Sequence, residues 1–190
     1  DFELVVEGPD YEYQCKAVTF RLFRCHACTH VFMHPLPELS EIPGLYPPTY
    51  YTVNSNSPLY LKGFILQMKL KQDSRRIVKL VQDRSIRSVV DLGCGNAKRL
   101  IAIHRSFPFP VKSIGIDLQF TEDTLVAAQK AGVSLKHGNV ETDLDILEKD
   151  GQDLILMSQL IEHLVDPQKA ISNLFDKLSP GGLLLIETPH

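Results

Sequence analysis

The stretch "VVDLGCGNAKRL", residues 89–100, decides how the rest of the chain is read. An apolar run ends in Asp91. Gly93, Cys94 and Gly95 follow, and a helical pattern starts directly after them. A backbone this bare lets a ligand approach with no Cβ in the way. The amides at the start of the next helix add donors and the positive end of a dipole. The stretch therefore predicts a strand, a ligand-binding turn and a helix. A turn of purely structural purpose reads the same way, so the flanking sequence has to choose.

Outward from the turn, strand and helix patterns alternate from residue 86 onward. "SVVDL", "SIGID", "VSLKHG", "DLILMSQ" and "GGLLLIETP" read as strands; "AKRLIAIHRSF", "TEDTLVAAQKAG" and "DPQKAISNLFDKL" read as helices. Apolar runs bounded by turns, with helices between, predict a parallel sheet covered on both faces. Right-handed crossovers make this an α/β fold with a doubly wound, mostly parallel sheet, strand order 3-2-1-4-5. Ligands of such sheets sit beyond the carboxyl ends of the strands. The residues that matter are then the last of each strand and the first of each following loop.

The remaining sequence divides by texture. Residues 1–53 are rich in Cys, His, Pro, Tyr and Phe and predict a small β-rich module. Residues 54–85 predict a linking helix, with Leu61, Ile65, Met68, Ile77, Leu80 and Val81 at helical spacing. Residues 86–190 form the sheet domain. The chain has 190 residues, 44% hydrophobic and 23% charged, which suits a globular protein with a core. A net charge of −3 leaves no electrostatic footprint for nucleic acid or an anionic membrane. No apolar run is long enough to span a membrane, and "DFELVVEGPDYEY" is no signal peptide. The expected location is cytoplasmic. Oligomeric state is not readable.

Two kinds of ligand use a glycine turn after a strand. A dinucleotide site wants G-x-G-x-x-G. Gly93 and Gly95 fit that pattern, but the third glycine position holds Lys98. Asp91, two residues before the first glycine, also puts a negative charge where a pyrophosphate would sit. It suits a ligand with a cationic or amino-acid end, such as S-adenosylmethionine with its sulfonium and ammonium. The second predicted strand ends in Asp117, 22 residues after Gly95. An acid there can accept both hydroxyls of a ribose. Thr121, with Glu122 and Asp123 behind it, is a ready N-cap for the following helix. Asp117 is therefore free for another task.

Together "VVDLGCGNAKRL", "IGIDLQF", "HGNVETD", "LILMSQLIEHLVDP" and "LSPGGLLLIETP" resemble the class I S-adenosylmethionine-dependent methyltransferases, in order and spacing, over residues 86–189. Their small-molecule branch, with an "EH" after the fourth strand, is the nearest likeness. The resemblance implies a Rossmann-like fold and methyl transfer to a small-molecule acceptor. It implies that Asp91, Gly93, Cys94 and Gly95 surround the methionine part of the cofactor, and Asp117 with Leu118 the ribose. Where the family often has an acid after the third strand, this chain has Asn139. The Asn139 carbonyl and the Val140 amide are candidates for the adenine, and Glu141 is a rival. Ser158 and Gln159 would lie beside the sulfonium and the acceptor. Two other classes stay open: a non-catalytic cofactor- or nucleotide-binding module, and a metal-dependent interaction domain.

Glu162 and His163 carry two readings. His163 can act as general base, since its ordinary pKa is near neutrality. Alternatively, the pair orders the loop before Asp166 and Pro167, which read as an N-cap and first helical residue. Cys94 is a nucleophile or, on the plainer reading, a small residue packed under the turn. In the front segment, "FRCHACTHVFMHP" holds Cys25 and Cys28 as half of a zinc-ribbon-like site, with Cys15 and His30 as candidates to complete it. Proteins of this resemblance carry an earlier Cys pair ahead of text like "DFELVVEG". They also continue past the fifth strand into an antiparallel strand pair. Missing pieces at both ends are therefore expected.

Overall fold

A computed structural model describes residues 1–11, 19–45 and 60–189. The chain divides into two compact units, Asp1–Tyr50 and Tyr51–His190.

The first unit holds a three-stranded antiparallel sheet of β1 (Phe2–Pro9), β2 (Thr19–Cys25) and β3 (Val31–Met33), in that order. Phe2 meets Phe23 and Phe32 edge-on, with ring centroids 5.2 and 5.7 Å apart. Arg21 pairs with Glu7, and Arg24 with Glu3, across the β1–β2 ladder. These pairs are exposed and add little stability. The aromatic cluster does more to hold the strands together.

The second unit opens with helix α1 (Tyr60–Leu80). It continues through β4 (Ser88–Leu92), α2 (Lys98–Ser106), β5 (Lys112–Asp117), α3 (Glu122–Ala131) and β6 (Ser134–His137). It ends with β7 (Gln152–Ser158), α4 (Pro167–Phe175) and β8 (Leu178–Glu187). The five strands are all parallel, in the order β6-β5-β4-β7-β8. Counted within this unit, that is the expected 3-2-1-4-5, and the switch in direction falls at β4, where the glycine turn lies.

Every residue of β4 is buried. This fits the apolar run at its centre, because both faces of the strand are covered, and it makes buried Asp91 the exception. Val89, Leu154 and Leu156 pack on one face with Ile77 of α1, Leu100 and Ile103 of α2 and Ala128 of α3. Val90, Leu92, Ile155 and Met157 pack on the other with Leu174 of α4. Successive strand residues thus alternate between two cores. The helix signals work as read. Thr121 accepts the Thr124 N–H at 3.2 Å, and Gly132 closes α3 in the left-handed conformation. Asp166 accepts the Lys169 N–H at 2.9 Å, with Pro167 opening α4.

One boundary differs. The last strand begins at Leu178, ahead of Gly181, where the sequence reading starts it. Gly181 takes φ +80° inside it, and the ladder to β7 slips between Gln152 and Leu154. A Cβ on Gly182 would lie 2.8 Å from the Gln152 carbonyl. Gln152 pairs with Leu178 and Leu154 with Leu183, so residues 179–182 stand between two paired parts of one strand. Among the described residues, no helix is long and apolar enough to cross a membrane.

Candidate functional site

The turn after β4 is tied to the neighbouring strand. The Gly93 and Cys94 N–H groups both donate to the Ile116 carbonyl, at 2.8 and 3.2 Å. Gly93 has φ +66° and Gly95 φ +53°, conformations that cost a side chain free energy. Ala97, fully buried, also sits at φ +56° and precedes α2. Ala97, rather than exposed Lys98, is the residue pressed into the core here. Part of the bare surface is used by the protein itself. A Cβ on Gly93 would stand 3.1 Å from Leu160, in the loop after β7. The Cys94 thiol fits beneath the turn against Gly115 of β5, where an added Cβ would meet it at 2.6 Å. Burial, then the charges of Asp91 and Asp117, push that thiol well above its usual pKa. Cys94 is a packing residue and a poor nucleophile.

Two carboxylates flank the turn. Asp91 is 3% exposed. Burial pushes its carboxyl up to about 7; Arg99 pulls it down, and Asp117 and Glu187 add to the rise. No hydrogen bond from the described residues contributes to holding its charge. Asp117 ends β5. Its two oxygens accept the Gly95 N–H at 2.7 Å and the Leu118 N–H at 2.8 Å. Burial raises its pKa, opposed by the Gly95, Leu118 and Gln119 amides and by the charge of His137. His137 ends β6 beside it and packs edge-on against Phe120, centroids 5.0 Å apart.

A third group closes the same edge. Glu187, the last residue of β8, accepts from Arg99 of α2 and from the Ser158 hydroxyl at 3.1 Å. Ser158 ends β7, and Gln159 follows at φ +51° with its N–H on the Glu187 carbonyl at 2.7 Å. The ends of β4, β5, β7 and β8 thus carry Asp91, Asp117, Ser158 and Glu187, with one guanidinium among them. Sequence reasoning missed Arg99, His137 and Glu187. Only the rule that strand ends carry function pointed to the last two.

Elsewhere the candidates are engaged in ways the sequence did not suggest. The Asn139 side-chain carbonyl accepts the Glu141 N–H at 2.9 Å. The Glu141 carboxylate accepts the Val165 and Asp166 N–H groups at 3.1 and 2.8 Å. Glu141 therefore holds the entry to α4. Val140 is buried in the second core. Glu162 and His163 lie exposed on a 3₁₀ turn, Ile161–His163, closed by the His163 N–H on the Leu160 carbonyl. Glu162 Oε2 lies 3.5 Å from the Thr188 hydroxyl.

The zinc expectation finds no support among the described residues, which hold no group of three or more His, Cys, Asp or Glu side chains able to bind a metal. Cys15 lies outside them. Cys25 ends β2 and Cys28 lies exposed on the next turn, both as free thiols. The His30 ring stacks on Phe32 at 6.4 Å.

An open parallel sheet with a glycine turn at its switch point, a buried acid before the turn and a second acid at the next strand end has the layout in which open α/β sheets hold their ligands. A methyltransferase-domain family model matches residues 63–190, and the chain belongs to that family. A ubiquinone biosynthesis O-methyltransferase of Coxiella burnetii is 31% identical over 107 residues, 53% of this chain and 42% of that protein. A trans-aconitate 2-methyltransferase of Deinococcus radiodurans is 27% identical over 117 residues, 61% and 43%. The chain thus spans about two fifths of the length of these relatives. The solved CurJ carbon methyltransferase superposes with TM-score 0.53 at 19% identity, over 62% of this chain and 34% of that one. At that identity the likeness establishes the fold.

Proposed function

We propose that this chain binds S-adenosylmethionine at the Gly93–Gly95 turn and transfers its methyl group to a small-molecule acceptor. The observation that carries the reading is the pair of acids on either side of a bare turn. Asp91 is buried with no hydrogen bond to hold its charge, and Asp117 stands at the second strand end. A ligand with a cationic amino-acid end and a ribose answers both. Two acids are also poor neighbours for a pyrophosphate.

When bound, the cofactor supplies an electrophilic methyl on a sulfonium. The chain's own residues align, bury and hold. Asp91 takes an ammonium, and the gain in pairing offsets the cost of ionising a buried carboxyl. Asp117 accepts ribose hydroxyls while it keeps the Gly95 and Leu118 amides in place. Asn139 and Val140 border the adenine. Ser158 and Gln159, at the end of β7, line the acceptor side. Displacement at a sulfonium depends chiefly on alignment of the two reacting centres, so Glu162 and His163 are assigned the task of ordering the turn before α4.

Calorimetry with S-adenosylhomocysteine and NAD tests the reading. The first should bind and the second should not. Asp117→Asn keeps an acceptor for one amide and removes the charge, and should weaken S-adenosylhomocysteine about tenfold or more. Tight NAD binding with no response to S-adenosylhomocysteine would reverse it.

A further inference from the structure

We infer that Arg99 reads the carboxylate of the cofactor's amino-acid end, a role that rests on the S-adenosylmethionine reading of the site. Arg99 is the second residue of α2 and its side chain is only 20% exposed. One terminal nitrogen, Nη2, is bound to Glu187. The other, Nη1, is buried and has no hydrogen-bond acceptor. A buried guanidinium nitrogen without an acceptor is costly, and such a group calls for an explanation.

The obvious acceptor is Asp91. It lies on the same face of the sheet as Val89, the face that packs against Leu100 of α2, and its charge senses that of Arg99. Yet no hydrogen bond joins the two. A buried acid and a buried guanidinium nitrogen, of opposite charge and near one another, are therefore both left incomplete beside the same turn. A zwitterion completes both at once: its ammonium goes to Asp91 and its carboxylate to Arg99 Nη1. An α-amino acid carries those two groups on one carbon. Glu187 and Ser158 then act as positioning residues. They hold the guanidinium through Nη2 and leave Nη1 for the ligand. A planar fork suits this divided duty, since its two ends point in fixed directions.

The test compares two ligands. S-adenosylhomocysteine carries the amino-acid end; methylthioadenosine keeps the nucleoside and thioether and lacks that end. Calorimetry would be run on the whole chain, on Arg99→Lys, on Arg99→Met and on the double variant Arg99→Met with Glu187→Met. The double variant replaces the ion pair by apolar groups and so guards against a simple folding loss; melting curves check it. S-adenosylhomocysteine should weaken about tenfold or more in both Met variants, the loss expected for a charge-assisted hydrogen bond. Arg99→Lys should fall between. Methylthioadenosine affinity should stay within about twofold in all of them. Equal weakening of the two ligands would overturn the inference and make Arg99 a brace for β8. If the unaltered chain binds neither ligand, the cofactor reading fails first and the inference with it.

Discussion

Replacing Asp91 by Asn tests the site at its most buried charge. The substitution keeps shape and removes the ionisation. A carboxyl lifted from 3.8 to about 7 costs the folded state a few kcal/mol once ionised, at about 1.4 kcal/mol per tenfold. The sign follows from proton binding. Between the two pKa values the folded state holds a proton that the unfolded chain has lost, so stability falls as pH rises. The penalty is absent below about pH 4, grows between pH 4 and 7, and is complete above 7. Asp91→Asn has no such slope. Urea unfolding of both proteins at pH 5 and pH 8 isolates it, because the other titrating groups are shared. The variant's advantage should widen by about 2–3 kcal/mol between those pH values. The same variant should bind S-adenosylhomocysteine more weakly, since an amide cannot pair with an ammonium. Parallel stability curves would refute the reasoning, because Asp91 would then be solvated or already paired.

Two further perturbations follow from the loops. Gly93→Ala meets both a left-handed φ of +66° and Leu160 at 3.1 Å; it should cost about 1–3 kcal/mol in thermal melts. Adding Leu160→Ala should restore only the steric part, and full restoration would show that the backbone angle is not strained. Glu141→Gln cannot serve the Val165 and Asp166 amides as a charged acceptor does. It should lower stability by about 1–2 kcal/mol and speed hydrogen exchange at those two amides, whereas unchanged exchange would mean that the loop is held by other contacts.

The sheet was legible because its central strands are covered on both faces, which leaves "SVVDL" and "DLILMSQ" as apolar-rich runs. Its caps were legible because Thr121, Gly132, Asp166 and Pro167 act on their own neighbours. Asp91 and Asp117 were readable as acids at strand ends. What sequence hid was long-range pairing. Arg99 reads as one more charged residue in "KRLIAIHR", and nothing local says that its partner is Glu187, 88 residues on. Glu141 reads as a rival ligand for adenine, while its acceptors serve amides 24 and 25 residues away. The Asn139 carbonyl turns back on its own loop for a local reason: its side chain can close a turn with the backbone two residues on. The strand start at Leu178 was hidden because residues 179–182 interrupt both the ladder and the apolar pattern ahead of "LLLIE".

The fit of Cys94 beneath the turn has a consequence for how this sequence can change. The thiol fills the space that a side chain on Gly115 would need, and Leu135 presses into the same space from β6, 2.7 Å from that added Cβ. Leu100 of α2 stands 3.1 Å from the same point, so residues 94, 100, 115 and 135 share one volume. A larger residue at 115 has to be met by shifted or smaller side chains at these neighbours. A larger residue at 115 alone overpacks the site, and smaller neighbours alone hollow it; both states cost stability. The underside of the turn is therefore coupled, and a change at one of these positions is felt at the others.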